Sequence, residues 1–238
     1  MGHLMLADFR RILKKPFFYV PVVLSYFFIV FLTQDPENVE DHLGIIMEAL
    51  NIFSIMLISI PVYLGVYADD HRYGITQSII GHGISKPKLI ITKLLECALL
   101  LSVFFMIQYL IIIIRNETIA LAITPRHNLF LFIYSLFCVI RGISYFTLAA
   151  FVFFSFNSIS GGMITLIFCS LLGGPLLKVI QTEADIPVYD FSPNGLLDAS
   201  YAAIETGKST LDPVFVALIL AAFITLTIFI YKKKELEL

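Results

Sequence analysis

Six stretches of this chain are too apolar and too long for water to be their solvent: 17–33, 45–68, 94–114, 129–153, 162–180 and 213–231. A membrane-spanning helix needs about 20 mostly apolar residues, because each residue rises about 1.5 Å and the hydrocarbon core is about 30 Å thick. Inside lipid every backbone N–H and C=O must find its partner within the protein, which leaves the helix as the natural form for such runs. The expected fold is therefore all-α: one polytopic transmembrane domain over 1–238 with six spanning helices. Composition agrees, with 58% hydrophobic and 14% charged residues and a mean hydropathy of +0.89, against about 45–50% and about 25% in soluble domains. The first run is short and holds Pro21, which predicts tilt or a kink. The fifth holds Gly173-Gly174-Pro175, which interrupts the backbone ladder and predicts a bent span. The linker 155–161 is so short that the fourth and fifth spans should be antiparallel neighbours.

Orientation follows from the basic residues beside the spans. Arg10, Arg11, Lys14, Lys15, Arg72, Lys86, Lys88, Lys93, Lys232, Lys233 and Lys234 fall on one side, against Arg115, Arg126, Lys178 and Lys208 on the other. Both termini are thus expected inside, and six spans satisfy that parity. Residues 3–15 put Leu6, Phe9 and Leu13 on one helical face and basic residues on another, the pattern of a helix lying in the headgroup plane. The outer side is acidic, with Asp35, Glu37, Glu40 and Asp41 after the first span. Glu183, Asp185, Asp190, Asp198, Glu205 and Asp212 precede the last. Such a surface attracts cations, or simply keeps acids where bases are excluded. Within the outer segment 181–212, Ser192 and Pro193 start a helix whose Leu197, Tyr201 and Ile204 share a face and which Gly207 ends.

The longest inner segment, 69–93, carries a helix of its own. Ile75, Ile79 and Ile80 recur at helical spacing beside Thr76, Gln77 and Ser78. Gly81 and Gly83 close that helix, because glycine adopts left-handed backbone freely. Ser85 then caps a new helix with Pro87 in its first turn.

This ordered set resembles the first cytoplasmic loop of the permeases of ATP-binding-cassette exporters of the second type. Asp70, Arg72, Gly74, the Ile79-Ile80 pair, Ser85-Lys86 and Lys93 stand at that pattern's positions. Ile75 replaces the usual Thr, Gly81-His82-Gly83 replaces a common Pro, and Lys86 replaces Arg. The resemblance implies a permease that binds no cofactor itself and uses ATP and magnesium through a separate ATPase dimer. It implies docking of that ATPase at Asp70, Arg72, Gly74, Ile79, Ile80, Ser85 and Lys86, and a second permease chain, identical or related. It also implies an interfacial elbow helix at 3–15 and short re-entrant helices before the last span, which Phe191, Leu196 and Leu197 suit. The cargo of such permeases is an amphipathic peptide, antibiotic or lipid, and a cationic peptide suits the acidic outer side. The expected setting is a bacterial cell membrane, crossed several times, with membrane lipids and no nucleic acid as partners. A stand-alone channel or secondary transporter, and a non-transporting sensor or immunity protein, are the alternatives.

Other motifs carry less. Thr206-Gly207-Lys208-Ser209 ends like a phosphate-binding loop, but Ala202 stands where its first glycine belongs and no strand precedes it. Gly81-His82-Gly83 lacks the βαβ unit of a dinucleotide site. Asp69, Asp70 and His71 read as solvated interface rather than a metal set, and Cys97, Cys138 and Cys169 as buried thiols. Asn116-Glu117-Thr118 is a glycosylation sequon on the outer side, relevant only in a eukaryotic source. Glu48 and Glu96 lie near span ends within reach of interfacial water. Arg141 lies about 18 Å into the fourth span, at 1.5 Å per residue, so it must face protein or a water-filled path. Pairing and conduit roles are both open to it, with Gln108 and Tyr109 as hydrogen-bonding candidates. The expected translocation path is thus Arg141, Gln108, Tyr109, Gly173, Gly174 and Pro175.

Overall fold

The computed structural model describes residues 2–34, 38–72, 74–119, 123–195, 197–198 and 212–233. Leu196, Tyr201, Ile204, Gly207 and the Thr206–Ser209 run lie outside the described residues. Every described element is helical. Three helices among them are long and apolar enough to cross a membrane: Val39–Arg72, Lys86–Thr118 and Pro125–Phe156. A fourth crossing is available if Ile159–Leu171 and Gly173–Ala184, bent by 60° at a short break, act as one. The helix Val20–Leu32 is apolar but has 13 residues, or about 20 Å of rise. The final helix, Asp212–Lys233, has 22 residues and packs on Pro125–Phe156 and Lys86–Thr118.

Local sequence explains the main irregularities. Helix Val39–Arg72 starts at Asn38, whose side-chain oxygen accepts from the Asp41 N–H at 2.8 Å, as N-cap residues do. It then carries two π-helical stretches, Ala49–Ser54 and Leu64–Ala68, on either side of Pro61. The break in the fifth run falls at Leu172, as Gly173-Gly174-Pro175 predicted. At the preceding turn Asn157 takes a left-handed φ of 53°, and the Ser158 hydroxyl accepts from the Gly161 N–H at 3.0 Å. The two neighbouring helices then pack closely. A methyl group added to Gly162 would lie 2.0 Å from the Tyr63 hydroxyl.

The core is aromatic and lies where the long helices meet. The Tyr67 ring stands 5.3 Å from Phe153 and 6.0 Å from Phe154, and Phe154 stands 4.7 Å from Tyr231. Around it, large apolar residues such as Phe27, Phe31 and Ile114 are more than 60% exposed. That arrangement costs heavily in water and little in lipid. The fold has the character of a membrane protein. The N-terminal helix Gly2–Leu13, the 69–93 segment and the C-terminal end of the final helix share one end of the bundle. Ion pairs link the first two, and the Lys86 ammonium lies 5.4 Å above the Tyr231 ring.

Candidate functional site: two buried charged networks

The segment between the second and third long helices folds as its glycines dictate. Helix Ile75–Gly81 begins after Gly74, at a left-handed φ of 62°. It ends with the Gly83 N–H on the Ile80 carbonyl at 2.9 Å and the Ile84 N–H on the Ile79 carbonyl at 3.3 Å. This pair of bonds is a Schellman closure, and Gly83, at φ 89°, supplies its left-handed residue. Ser85 occupies the N-cap of Lys86–Thr118 in extended backbone, though its hydroxyl makes no cap bond.

Beneath this segment lies an ionic knot. Lys93, 2% exposed, places its ammonium 2.7 Å from Asp8, 2.5 Å from Asp70 and 2.9 Å from Glu96. Arg11 adds a second cation, 2.7 Å from Asp70 and 3.2 Å from Asp8, and Lys15 pairs with Asp69. Burial pulls the Arg11 guanidinium down, but Asp70 and Asp8 outweigh it and hold it above its ordinary value. Lys15 is lowered, by burial and then by the Arg11 charge. The knot ties together the N-terminal helix, the end of Val39–Arg72 and the start of Lys86–Thr118.

The expected docking residues divide accordingly. Asp70, expected as solvated interface and a docking residue, is 2% exposed and turned inward to Lys93 and Arg11. Ile80 packs against the core and Ile79 is half-buried. Lys86 lies over Tyr231. Arg72 and Ser85 are exposed, with Ser78, Gly81, His82 and Gly83. Arg72 lines a cavity of about 400 Å³ with Leu64, Ala68, Asp69 and Ile159.

A second network surrounds Arg141, which is 4% exposed. Its guanidinium donates to the Asn51 side-chain oxygen, to the Asn51 carbonyl at 2.6 Å and to the Asn194 side-chain oxygen at 3.4 Å. The Asn51 carbonyl belongs to the π-helical stretch, where the i→i−4 ladder is broken and a carbonyl is available to an outside donor. The Tyr145 hydroxyl donates to the same Asn194 oxygen at 2.6 Å. Asn194 also abuts the break in the fifth run, since a methyl on Gly174 would meet its amide at 3.4 Å. Arg141, Gly173 and Gly174 are therefore brought together through Asn194. Tyr109 turns elsewhere, with its hydroxyl on the Asn128 carbonyl at 3.4 Å and its ring on Phe132. Gln108 is buried on the same helix.

Asn194 is held in place by its own loop. The Ser192 hydroxyl accepts from the Gly195 N–H at 3.1 Å, so it caps the short helical stretch as expected. A methyl on Gly195 would lie 2.1 Å from the Tyr189 carbonyl, so no other residue fits. Gln181 receives the Tyr189 N–H at 2.9 Å. The Tyr189 hydroxyl donates to Asp198 at 2.6 Å, and Lys178 pairs with Asp198 at 3.2 Å. Burial and the Asp198 carboxylate push the Tyr189 phenol up.

The sequon is corrected. Asn116 lies within Lys86–Thr118, 5% exposed. Its amide contacts His42 at 2.8 Å and donates to Asn128 at 2.9 Å. A buried amide inside a helix cannot receive a glycan. Asp8, Asn51 and Asn194 are the network members that sequence reasoning passed over. Each carried a faint signal: a lone acid in a basic helix, an amide in an apolar run, an amide after a cap.

No protein-family model matches the chain, and no curated protein matches it.

Proposed function

We propose that this chain is a six-span permease subunit of an ATP-driven exporter, worked by a separate ATPase docked at the tip of the 69–93 segment. The observation that carries this reading is the bracing of that segment. A loop that only joined two helices would need no helix, no Schellman closure and no ionic knot beneath it. Here Asp70 at its start and Lys93 at its end are pinned to Arg11 and Asp8 of the N-terminal helix, and Asp69 to Lys15 just beyond that helix. Meanwhile Ser78, His82, Gly83 and Ser85 face outward. A push at the tip would pass into rigid helices rather than be absorbed by the loop. In the full reading Val20–Leu32 and Asp212–Lys233 complete six spans, both termini lie inside, and a second permease chain covers part of the exposed apolar surface. Export of an amphipathic cargo follows from the resemblance.

The test uses Ile79→Asp combined with His82→Glu, both away from the knot. Expression beside candidate ATPases should give a membrane-inserted, folded protein that no longer co-purifies with the ATPase bound by the unmodified chain. Undiminished co-purification overturns the docking surface. A second reading, a stand-alone secondary transporter, draws on one observation. The irregular stretch Ala49–Ser54 and the break at Leu172 both meet the Arg141 network, an arrangement of paired broken helices around a midplane site. Substrate movement in vesicles holding this chain alone, without ATP, would favour it.

A further inference from the structure

A cavity of about 310 Å³ opens beside the Arg141 network, lined by Gly44, Met47, Glu48, Asn51, Tyr134 and Leu197, with Asp198. We propose that it binds a primary ammonium group on a short aliphatic stem. Its volume is at the low end of small-molecule sites, about 300–1,000 Å³. Its walls are mixed: Met47, Leu197 and the Tyr134 ring offer apolar contact, and two carboxylates converge from different parts of the chain.

Three further observations point to a cation. Glu48 is an exposed carboxylate near the start of the apolar run 45–68, and it lines the cavity. It enters no ion pair among the described residues. A carboxylate on a cavity wall with no ion pair to the described residues is open to a cation that arrives from outside. Across the cavity, Asp198 already receives an ammonium from within the chain. Lys178 lies 3.2 Å from its carboxylate and 4.6 Å over the Tyr189 ring. That carboxylate-and-ring pairing is the one an external ammonium would use between Glu48 and Tyr134. Gly44 leaves the entrance open, since a methyl added there would meet nothing within 4 Å. The charge selects the ammonium and the apolar wall selects its stem. Arg141 does not line the cavity but bonds to Asn51, which does.

The inference rests on the exporter reading for its purpose, as the head group of an amphipathic cargo, but its test needs no ATPase. The full chain in phosphatidylcholine nanodiscs would be titrated with hexylammonium and with hexanol, followed by saturation-transfer NMR. Hexylammonium should bind at least about tenfold more tightly than hexanol. Glu48→Gln, at an exposed position, should remove that preference with the unfolding midpoint unchanged, and Lys178→Met should tighten binding by freeing Asp198. Equal binding of hexanol, or a Glu48→Gln protein that keeps the preference, overturns the site. Competition by a lysine-containing peptide or by glycerophosphoethanolamine identifies the natural source, and displacement by neither also overturns it. Ammonium binding without ATPase co-purification would leave this site standing while the exporter reading falls.

Discussion

The two buried charged networks solve the same problem in opposite ways. The knot at the N-terminal end gathers four carboxylates and three cations, so each charge is answered by another within about 3 Å. The Arg141 network answers one guanidinium with amide oxygens alone. Ion pairs fix position strongly, because removing one partner leaves a charge stranded in low dielectric. Amides fix it weakly and exchange partners at low cost. The difference teaches where rigidity and where adjustability are built. The knot makes a firm platform beneath a loop, and the Arg141 network is a place where the chain can rearrange around a retained charge.

The sharpest way to break this comparison is Lys93→Met. It strands Glu96 and leaves Asp8 and Asp70 to share Arg11 alone, and the loss should be about 3–5 kcal/mol. SDS-induced unfolding followed by circular dichroism would measure it. Neutralising the acids as well, in Lys93→Met with Asp8→Asn and Glu96→Gln, should restore much of the loss. If Lys93→Met alone costs nothing, the knot is not a platform.

Next is Gly195→Ala. The added methyl meets the Tyr189 carbonyl at 2.1 Å, and backbone cannot step aside as a side chain can. Overpacking of this kind costs about 1–3 kcal/mol. The displacement falls on Asn194, so Arg141 should lose one of its two residue partners. Faster hydrogen exchange at 189–198 with unchanged exchange at 86–96 would show that the two networks are separable. Arg141→Met follows, toward the lower part of about 1–3 kcal/mol. It leaves neutral oxygens unpaired rather than a stranded charge, and it removes the desolvation cost of the guanidinium. A loss as large as that of Lys93→Met would erase the distinction between the networks.

These contrasts also mark what the residue order could reveal. Periodicity and length gave the helical class, and Gly83 and Gly173-Gly174-Pro175 marked a closure and a break, because those features depend on neighbours a few residues away. The depth of Arg141 was legible because it is a distance along one helix. Its partners were not, since Asn51 and Asn194 are 90 and 53 residues distant. The rotation of each helix about its axis decides which of many polar residues faces it. Asp70 shows the same limit. Its place at the end of a span read as solvated interface, yet the N-terminal helix, 59 residues earlier at Arg11, turns it inward. Six apolar runs were plain, but three described helices are long and apolar enough to cross a membrane, and a fourth crossing is available only if a bent pair acts as one.

The smallest expected effect is that of Lys178→Met, and it sharpens the comparison from outside. Lys178 and Asp198 are 59% and 52% exposed at their side chains, and such a pair is worth less than about 1 kcal/mol. Salt should remove even that, because the Debye length falls from about 10 Å at 0.1 M to about 3 Å at 1 M. The knot, with Lys93, Asp70 and Glu96 each at 3% side-chain exposure or less, should keep its contribution at both concentrations. Measuring Lys178→Met and Lys93→Met across that range therefore separates charge that solvent can reach from charge that helices have sealed. If both variants respond equally to salt, water reaches the knot, and the firmness assigned to the loop's platform must come from packing instead.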